Sequence, residues 1–586
     1  MKKTADVIQN IYRFLVIGCF LIIITFLCAY NAASTAVLIN WEHTVYIADS
    51  VKLHLVFIAL SVIFVILLKK SGAYRFVCEK LEDDKIFGRC KFFLIITILF
   101  LSCLWALSTQ FMPGVDEYAV QQAVEEVLEG NYDSFAPLAY MDEYPNNWGF
   151  FLFSYVIAKI FGKMNYIVIQ LIIAVTIALA FKALSEIAEL FEIGRVGQLM
   201  VLLVGVLFIP FTFYSMMVYG NLPGVCFALF AVKYEIKYLK DGGKIYHACT
   251  SGICIAIGVA FKSNMQIYFL AMLFTAVIHV FKSWKKALAL VLILISAYAV
   301  QSVGIALIIR SMTGCVLDKP ITSLAWVAMG LQDGDLAPGW WNNYSVKTYF
   351  ECGGDVVKHS AVVKSSISDS LSNFIANPDY AVEFFTKKTL STWANPTFQC
   401  FATVRNGSYL AIPEWMLEML SYSSQKSMTE YLDVIAFLVY FGSLLYVLTE
   451  DFKRTDKLIL PMTFVGGFLF YLVWEAKARY GLMFFIVLIP CAVKGFSRTA
   501  TLITEKIGQI KQSKNEEKSE KSERKMSSKF ALRLGAVAVS LAVFVALYAV
   551  KFNLVLNQDT GEYLSYVENS PDEEEVEYLG QTDEDK

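Results

Sequence analysis

Charge is scarce in this sequence, and neither sign prevails. Only 17% of its 586 residues are Asp, Glu, Lys or Arg, and the formal net charge is −2. Composition therefore offers nothing to nucleic acid, and no basic stripe interleaves with aromatics. Closely paired cysteines are missing too. The twelve cysteines are scattered singly, without CxxC spacing, which argues against a zinc or iron–sulfur centre. Cys315, Cys352 and Cys400 share one long loop. Unpaired buried thiols are the expected state, with a disulfide as the alternative if that loop lies outside the cell. An internal repeat of the kind that marks many secondary transporters is also absent.

What fills the sequence instead is apolar. Hydrophobic residues make up 57% and the mean hydropathy is +0.53, above the roughly 45–50% of soluble domains. This predicts an all-α polytopic membrane protein, because lipid offers no partner for an unpaired backbone group. Lys2 and Lys3 precede the apolar run 14–30, which no small-residue cleavage site closes, so an uncleaved first helix with a cytoplasmic N-terminus is expected. Runs 53–68 and 92–107 follow, separated by a loop carrying Lys69, Lys70, Arg75, Lys80, Lys85, Arg89 and Lys91. The positive-inside rule puts that loop in the cytoplasm.

The stretch 148–161 is short for a crossing, which needs about 17 residues at the least. Letting it cross would turn the basic groups at 233–244, 282–286 and 453–457 outward, so it is expected to lie in the interface or to dip and return. Further spans are read at 166–181, 199–213, 222–236, 248–261, 265–280, 287–309, 432–448, 458–474, 478–493 and 530–550, for a total of about 13 transmembrane helices. The expected organisation is N-terminal helices with a cytoplasmic loop (1–91) and a central membrane module (92–309) whose first outer loop is 109–149. An extracytoplasmic loop domain (310–430), the closing helices of the module (431–495), a charged cytoplasmic linker (496–529), a last helix (530–550) and an acidic disordered tail (551–586) follow.

Five polar clusters reach the outer boundary on this topology. Asp116 and Glu117 open a stretch whose Val120, Val124, Val127 and Leu128 recur at helical spacing up to Gly130, so an amphipathic helix on the membrane surface is predicted. A carboxylate at its N-terminus suits general-base work or metal ligation, or else Asp116 caps the helix. Asp142, Glu143, Tyr144, Pro145, Asn146 and Asn147 form the return of the same loop, readable as a site floor or as a polar turn. Lys262, and Lys477 with Arg479, interrupt apolar runs, and they either hold a lipid phosphate or snorkel to headgroups. Glu475 is placed to orient Arg479 from one helical turn away, with Tyr480 beside it. Tyr219 and Asn221 occupy a short outer turn.

Taken together, Asp116-Glu117-Tyr118, the Tyr-Pro-Asn-Asn return, Lys262 and the late Glu475-x-x-x-Arg479-Tyr480 resemble the GT-C glycosyltransferases, closest to the protein-mannosyltransferase-like branch and its bacterial relatives. The resemblance covers residues 92–493. It implies a GT-C fold with an outer-face catalytic loop and an inverting transfer of sugar from a polyprenyl-phosphate donor to an acceptor hydroxyl. It assigns Asp116 as catalytic base with Glu117 supporting it. Tyr144, Pro145, Asn146 and Asn147 become the site floor, Lys262 and Arg479 hold the phosphate, and Tyr219, Asn221, Glu475 and Tyr480 complete the substrate-binding set. Asn221 stands where relatives often carry an acid, which leaves dependence on a divalent cation open. The acceptor, whether protein, lipid or cell-wall polymer, is unassigned; membrane lipids are partners and nucleic acid is not. A multi-pass transporter, or a polymerase or ligase of surface polysaccharide, is the alternative.

Overall fold

The computed structural model describes residues 2–586 apart from 40–41, 241, 316–319, 406, 411, 513–528, 548–558, 560–562 and 564–586. The acidic tail and most of the charged linker therefore lie outside the described residues. The first part of that linker continues the Leu488–Gln512 helix.

Apolar runs form the helices, and local chemistry ends them. Asp83 Oδ1 accepts from the amides of Lys85 (2.7 Å) and Ile86 (3.3 Å) to start Asp84–Thr109. Gly130, at φ +81°, stops Val115–Glu129. Among the described residues nine helices are long and apolar enough to span a membrane, or eleven if each of two bent pairs is one span. The sequence led us to expect about thirteen. The two others are Asn221–Leu239, whose last third holds Lys233, Glu235 and Lys237, and Ile245–Phe261, which is 17 residues long. Both nevertheless sit in the bundle. The chain is thus a multi-pass membrane protein.

Three expectations are corrected. The fold is not all-α: Ser34–Ile39 pairs antiparallel with His43–Ala48, Val37 opposite Val45. Both strands are rich in the β-branched and aromatic residues that suit a half-buried pleat. The helix behind Asp116 does not lay its apolar stripe on lipid, since Val120, Val124 and Val127 are buried within the protein core and Gln121 Nε2 donates to Ser154 Oγ of the Trp148–Phe161 helix at 3.1 Å. Glu475 and Arg479 do not share a helix, because Ile459–Val473 ends before the first and Ala478–Phe485 starts just before the second. Cys315, Cys352 and Cys400 are free thiols as expected, although of the three only Cys400 is buried.

The bundle has two unlike polar ends. At one, Arg195 bonds Asp84, Lys233 meets Glu186 at 2.7 Å, and Arg454 and Lys457 converge on Glu192. At the other lie the hairpin, the 109–149 loop, the turns at 217–221 and 262–265, and the break at 474–477. Residues 320–420 cover that second end with short helices holding small cores of their own, one around Ile321, Ala328, Tyr349 and Val363 and another around Leu331, Phe374 and Phe384.

Two glycines set the spacing there. A Cβ on Gly149 would lie 2.0 Å from the Ala260 carbonyl oxygen, and one on Gly220 would lie 1.9 Å from that of Phe261. Both contacts are to backbone at the end of Ile245–Phe261, directly before Lys262. Gly149→Ala and Gly220→Ala are each expected to lower stability by about 1–3 kcal/mol. Gly304→Ala, with open space around it, should be neutral or stabilising. Thermal denaturation of the purified variants in detergent checks the contrast.

Candidate active site

The loop ahead of the acids is held from two sides. Phe111 forms an isolated antiparallel bridge with Tyr409, and Met112 N–H donates to the Ser408 carbonyl at 2.9 Å. Buried Gln170 donates to the carbonyls of Phe111 (2.9 Å) and Met216 (2.7 Å), so one amide ties the approach to Asp116 to the approach to Tyr219. The helix then begins under strain. Val115 sits at φ +44° with 85% of its surface exposed, a backbone region that a β-branched residue rarely adopts and that concentrates at functional sites. Gly114 is the N-cap, so Asp116 stands inside the first turn and is free of the capping role.

Asp116 is half-buried and lies beside the Tyr140 hydroxyl. Asn147 Nδ2 donates to the Tyr140 oxygen at 2.9 Å, and Tyr219 O–H donates to Asn147 Oδ1 at 3.1 Å. The Lys262 ammonium lies 4.2 Å from the centroid of the Tyr219 ring and 5.8 Å from that of Tyr480, a cation–π pairing worth roughly 0.5–2 kcal/mol. Asp116, Tyr140, Asn147, Tyr219 and Lys262 therefore form one connected chain, and Tyr144 adjoins it through its ring contact with Tyr140 at 4.8 Å. Pro145 opens the short turn to Trp148. Asn146 is exposed and donates to Asn147 Oδ1 at 3.3 Å.

Glu117 points inward. Burial pushes its carboxyl up to about 7 despite the nearby Arg479, the Val218 amide and Lys262, with Asp116 adding to the rise. One of its oxygens has no partner among the described residues. Burial likewise draws Lys262 down to about 8, against the pull of Asp116, Glu475 and Glu117. Glu475 is also raised by burial, although Lys477, Arg479 and Lys262 oppose this.

The break that carries Glu475 is pinned by backbone. Glu475 N–H donates to Trp326 O and Ala476 N–H to Gly339 O, each at 2.9 Å, while buried Lys388 holds the Trp474 carbonyl at 2.9 Å and that of Gly330. Half-buried Arg479 faces the acids from the next helical turn, its guanidinium 5.6 Å from the Tyr480 centroid. Asn221 opens the Asn221–Leu239 helix with its Oδ1 buried and unpartnered among the described residues. Together with Tyr219 and Arg479 it lines a narrow crevice with only about 10 Å³ of free space.

Two contributors were missed in the sequence, Tyr140 and Glu42, while Glu143 belongs to the return cluster read there. Glu143, with one orphaned buried oxygen, is pushed by burial and by Asp142 up to about 7. Glu42, in the hairpin turn, accepts from Lys477 at 2.5 Å and from Gln399. Burial raises the Glu42 carboxyl, but Lys477 and Arg479 outweigh it, and the net effect holds it below the usual carboxylate range. Positive charge beside the acids comes from Lys262, Lys477 and Arg479, with buried Lys388 behind the break. Within reach of them are the oxygens of Asp116, Glu117, Glu475 and Glu42, an arrangement able to hold an anion against the cations and to take a proton at Asp116.

No family model matches the chain, and no curated protein matches it in sequence. Among solved structures, it is similar to ArnT from Cupriavidus metallidurans bound to undecaprenyl phosphate. The match covers 81% of this chain and 75% of that one, at 12% identity and a TM-score of 0.35.

A carboxyl whose folded value is raised stabilises the fold below its unfolded value, and that stabilisation is lost as pH rises through the folded value. For Glu117 the window runs from the ordinary carboxyl range up to about 7. Glu117→Gln is therefore expected to gain melting temperature relative to the unsubstituted protein at pH 8 and not at pH 4.5. Paired thermal scans at the two pH values check this.

Proposed function

We propose that this protein is a glycosyltransferase that moves a sugar from a polyprenyl-phosphate donor to an acceptor hydroxyl at the outer face of the membrane, with inversion. The observation that carries the reading is the opposition of Asp116 to buried Lys262 and half-buried Arg479 at one end of a lipid-embedded bundle. Asp116 takes the proton of the acceptor hydroxyl, whose oxygen attacks the anomeric carbon. The bond to the phosphate oxygen breaks on the opposite side, and Lys262 and Arg479 stabilise the charge gathering on the departing polyprenyl phosphate. Tyr140 and Asn147 hold the base, and Tyr144 with Tyr219 supplies aromatic faces to the sugar. Exposed Val115 and Tyr118 flank the acid with surface suited to a lipid-borne substrate.

The outer-face assignment rests on charge. Lys80, Lys85, Arg89, Arg195, Lys237, Lys453, Arg454 and Lys457 lie at or near the opposite end of the bundle, the end that the positive-inside rule leaves in the cytoplasm. The motifs favour the protein-mannosyltransferase-like branch within the GT-C class. Among the described residues, the trio of His and carboxylate side chains close enough for a metal lies outside this cluster, at Asp49, His54 and Asp433.

One feature favours a transporter as the second reading. Glu235 is wholly buried in the bundle, neither oxygen has a partner among the described residues, and two spans are bent by 57° and 52°. The bends, however, pack on each other through Phe208, Phe398 and Phe485, with Phe208 and Phe485 stacked at 5.2 Å, and that contact is apolar. A flux assay in proteoliposomes separates the two readings.

Purified protein in lipid, given a panel of labelled polyprenyl-phosphate sugars, is expected to transfer or slowly hydrolyse one of them. Asp116→Asn should reduce turnover by about 10²–10⁴-fold while donor binding persists, and near-normal turnover would remove Asp116 from the mechanism. Because burial draws Lys262 down to about 8, kcat/KM is expected to fall as pH rises through that range. Lys262→Arg should move the alkaline limb upward, and an unchanged profile in that variant would take Lys262 out of phosphate binding.

A further inference from the structure

A second polar cluster lies apart from the acids and cations of the candidate active site. Asn31, near the end of the Lys2–Ala33 helix, Asp49, just before Val51–Lys70, His54 within that helix, and Asp433 in Tyr422–Thr449 meet where these elements join the base of the hairpin. One ligand atom from each of Asp49, His54 and Asp433 lies within 4.8 Å of the other two. His54 and Asp433 are 1% and 3% exposed.

The hydrogen bonds leave one position that a proton or a metal ion must fill. His54 Nδ1 faces the Ser50 carbonyl at 3.1 Å, and a carbonyl only accepts, so Nδ1 carries a proton. Nε2 faces Asp433 Oδ2 2.8 Å away, a pair that a second ring proton joins as an imidazolium–carboxylate bridge and that a metal ion joins when it replaces that proton. Asp433 Oδ1 already receives Asn31 Nδ2 at 3.0 Å, and the Oδ1 of wholly buried Asn31 has no partner among the described residues. Asp49 is oriented by Thr35 Oγ1 at 2.9 Å and by the Ser50 amide at 2.6 Å. Among the described residues no lysine or arginine pairs with either carboxylate.

We propose that Asp49, His54 and Asp433 bind one divalent transition-metal ion of the zinc or manganese type, with Asn31 Oδ1 as a fourth oxygen donor. One imidazole nitrogen with carboxylate and amide oxygens suits zinc or manganese better than calcium, which takes oxygen alone. The Ser50 carbonyl, Thr35 hydroxyl and Ser50 amide supply the outer contacts that orient such ligands. The ion fastens the first two helices and the hairpin base to the Tyr422–Thr449 helix, and it is independent of the transferase reading.

The test uses the full chain purified in detergent, stripped with EDTA and then offered ZnCl2 or MnCl2 alone. Metal per chain is read by elemental analysis, affinity by titration and stability by thermal denaturation. One ion above the level of the variants is expected, with affinity at least about 10-fold lower in His54→Gln and in half-buried Asp49→Asn. EDTA should lower the melting temperature of the unsubstituted protein and leave the variants unchanged. Failure of the unsubstituted protein to hold either ion, or retention by both variants as tight as its own, would overturn the site. Because the first of these needs no substitution, a misfolded variant cannot rescue the proposal.

Discussion

Ionised groups taken out of water must find opposite charge close by, and this constraint organises the whole second end of the bundle. At 4 Å two unit charges attract by roughly 1 kcal/mol in water and about 4 kcal/mol near a protein surface. The desolvation of each ion is of comparable size. Lys262, Lys477 and Glu475 are all buried there, and none would be tolerated without the others. The acids of the 109–149 loop, the cation at the Ile245–Phe261 terminus and the break at 474–477 are thus one electrostatic unit assembled from distant parts of the chain. A preorganised unit of this kind is also what stabilises charge developing on a leaving group, since its dipoles need no rearrangement at the moment of reaction.

Much of this was readable in the residues. Helical spacing located the Val115–Glu129 helix to its terminal glycine, and the scarcity of charge made each boundary charge stand out. Asp116, Glu117, Lys262, Glu475 and Arg479 were singled out for that reason, and the structure brings them to one end. The failures also have physical causes. Val120, Val124 and Val127 are apolar whether they face lipid or a neighbouring helix, so period alone could not distinguish the two. The Glu475-x-x-x-Arg479 spacing looked helical because nothing in those residues reports that Trp326 and Gly339 carbonyls capture the intervening amides. Ser34–Ile39 and His43–Ala48 did carry a strand signal in their β-branched residues, but it was obscured by the apolar helices on either side.

The bends and the glycines explain how such a unit keeps its geometry in a fluid membrane. Phe208 and Phe485 stack where the two broken spans turn, so each break is braced by the other. Gly149 and Gly220 bring two helix starts into backbone contact beside Lys262, closer than any side chain would permit. Rigid backbone contacts rather than long flexible side chains therefore determine where Asn147, Tyr219 and the ammonium meet.

The pairing of Glu42 with Lys477 has a consequence in time. The two residues are separated by 435 positions, and at about 5–20 residues per second a ribosome needs roughly 20–90 s to travel between them. Throughout that interval the hairpin waits at the membrane surface with its carboxylate facing water. Its partners Lys477 and Arg479 arrive only when most of the bundle has been made. A nascent or prematurely terminated chain that already has Lys262 beside Asp116 consequently still carries Glu42 without its counter-charges, and this end of the molecule is completed only late in synthesis.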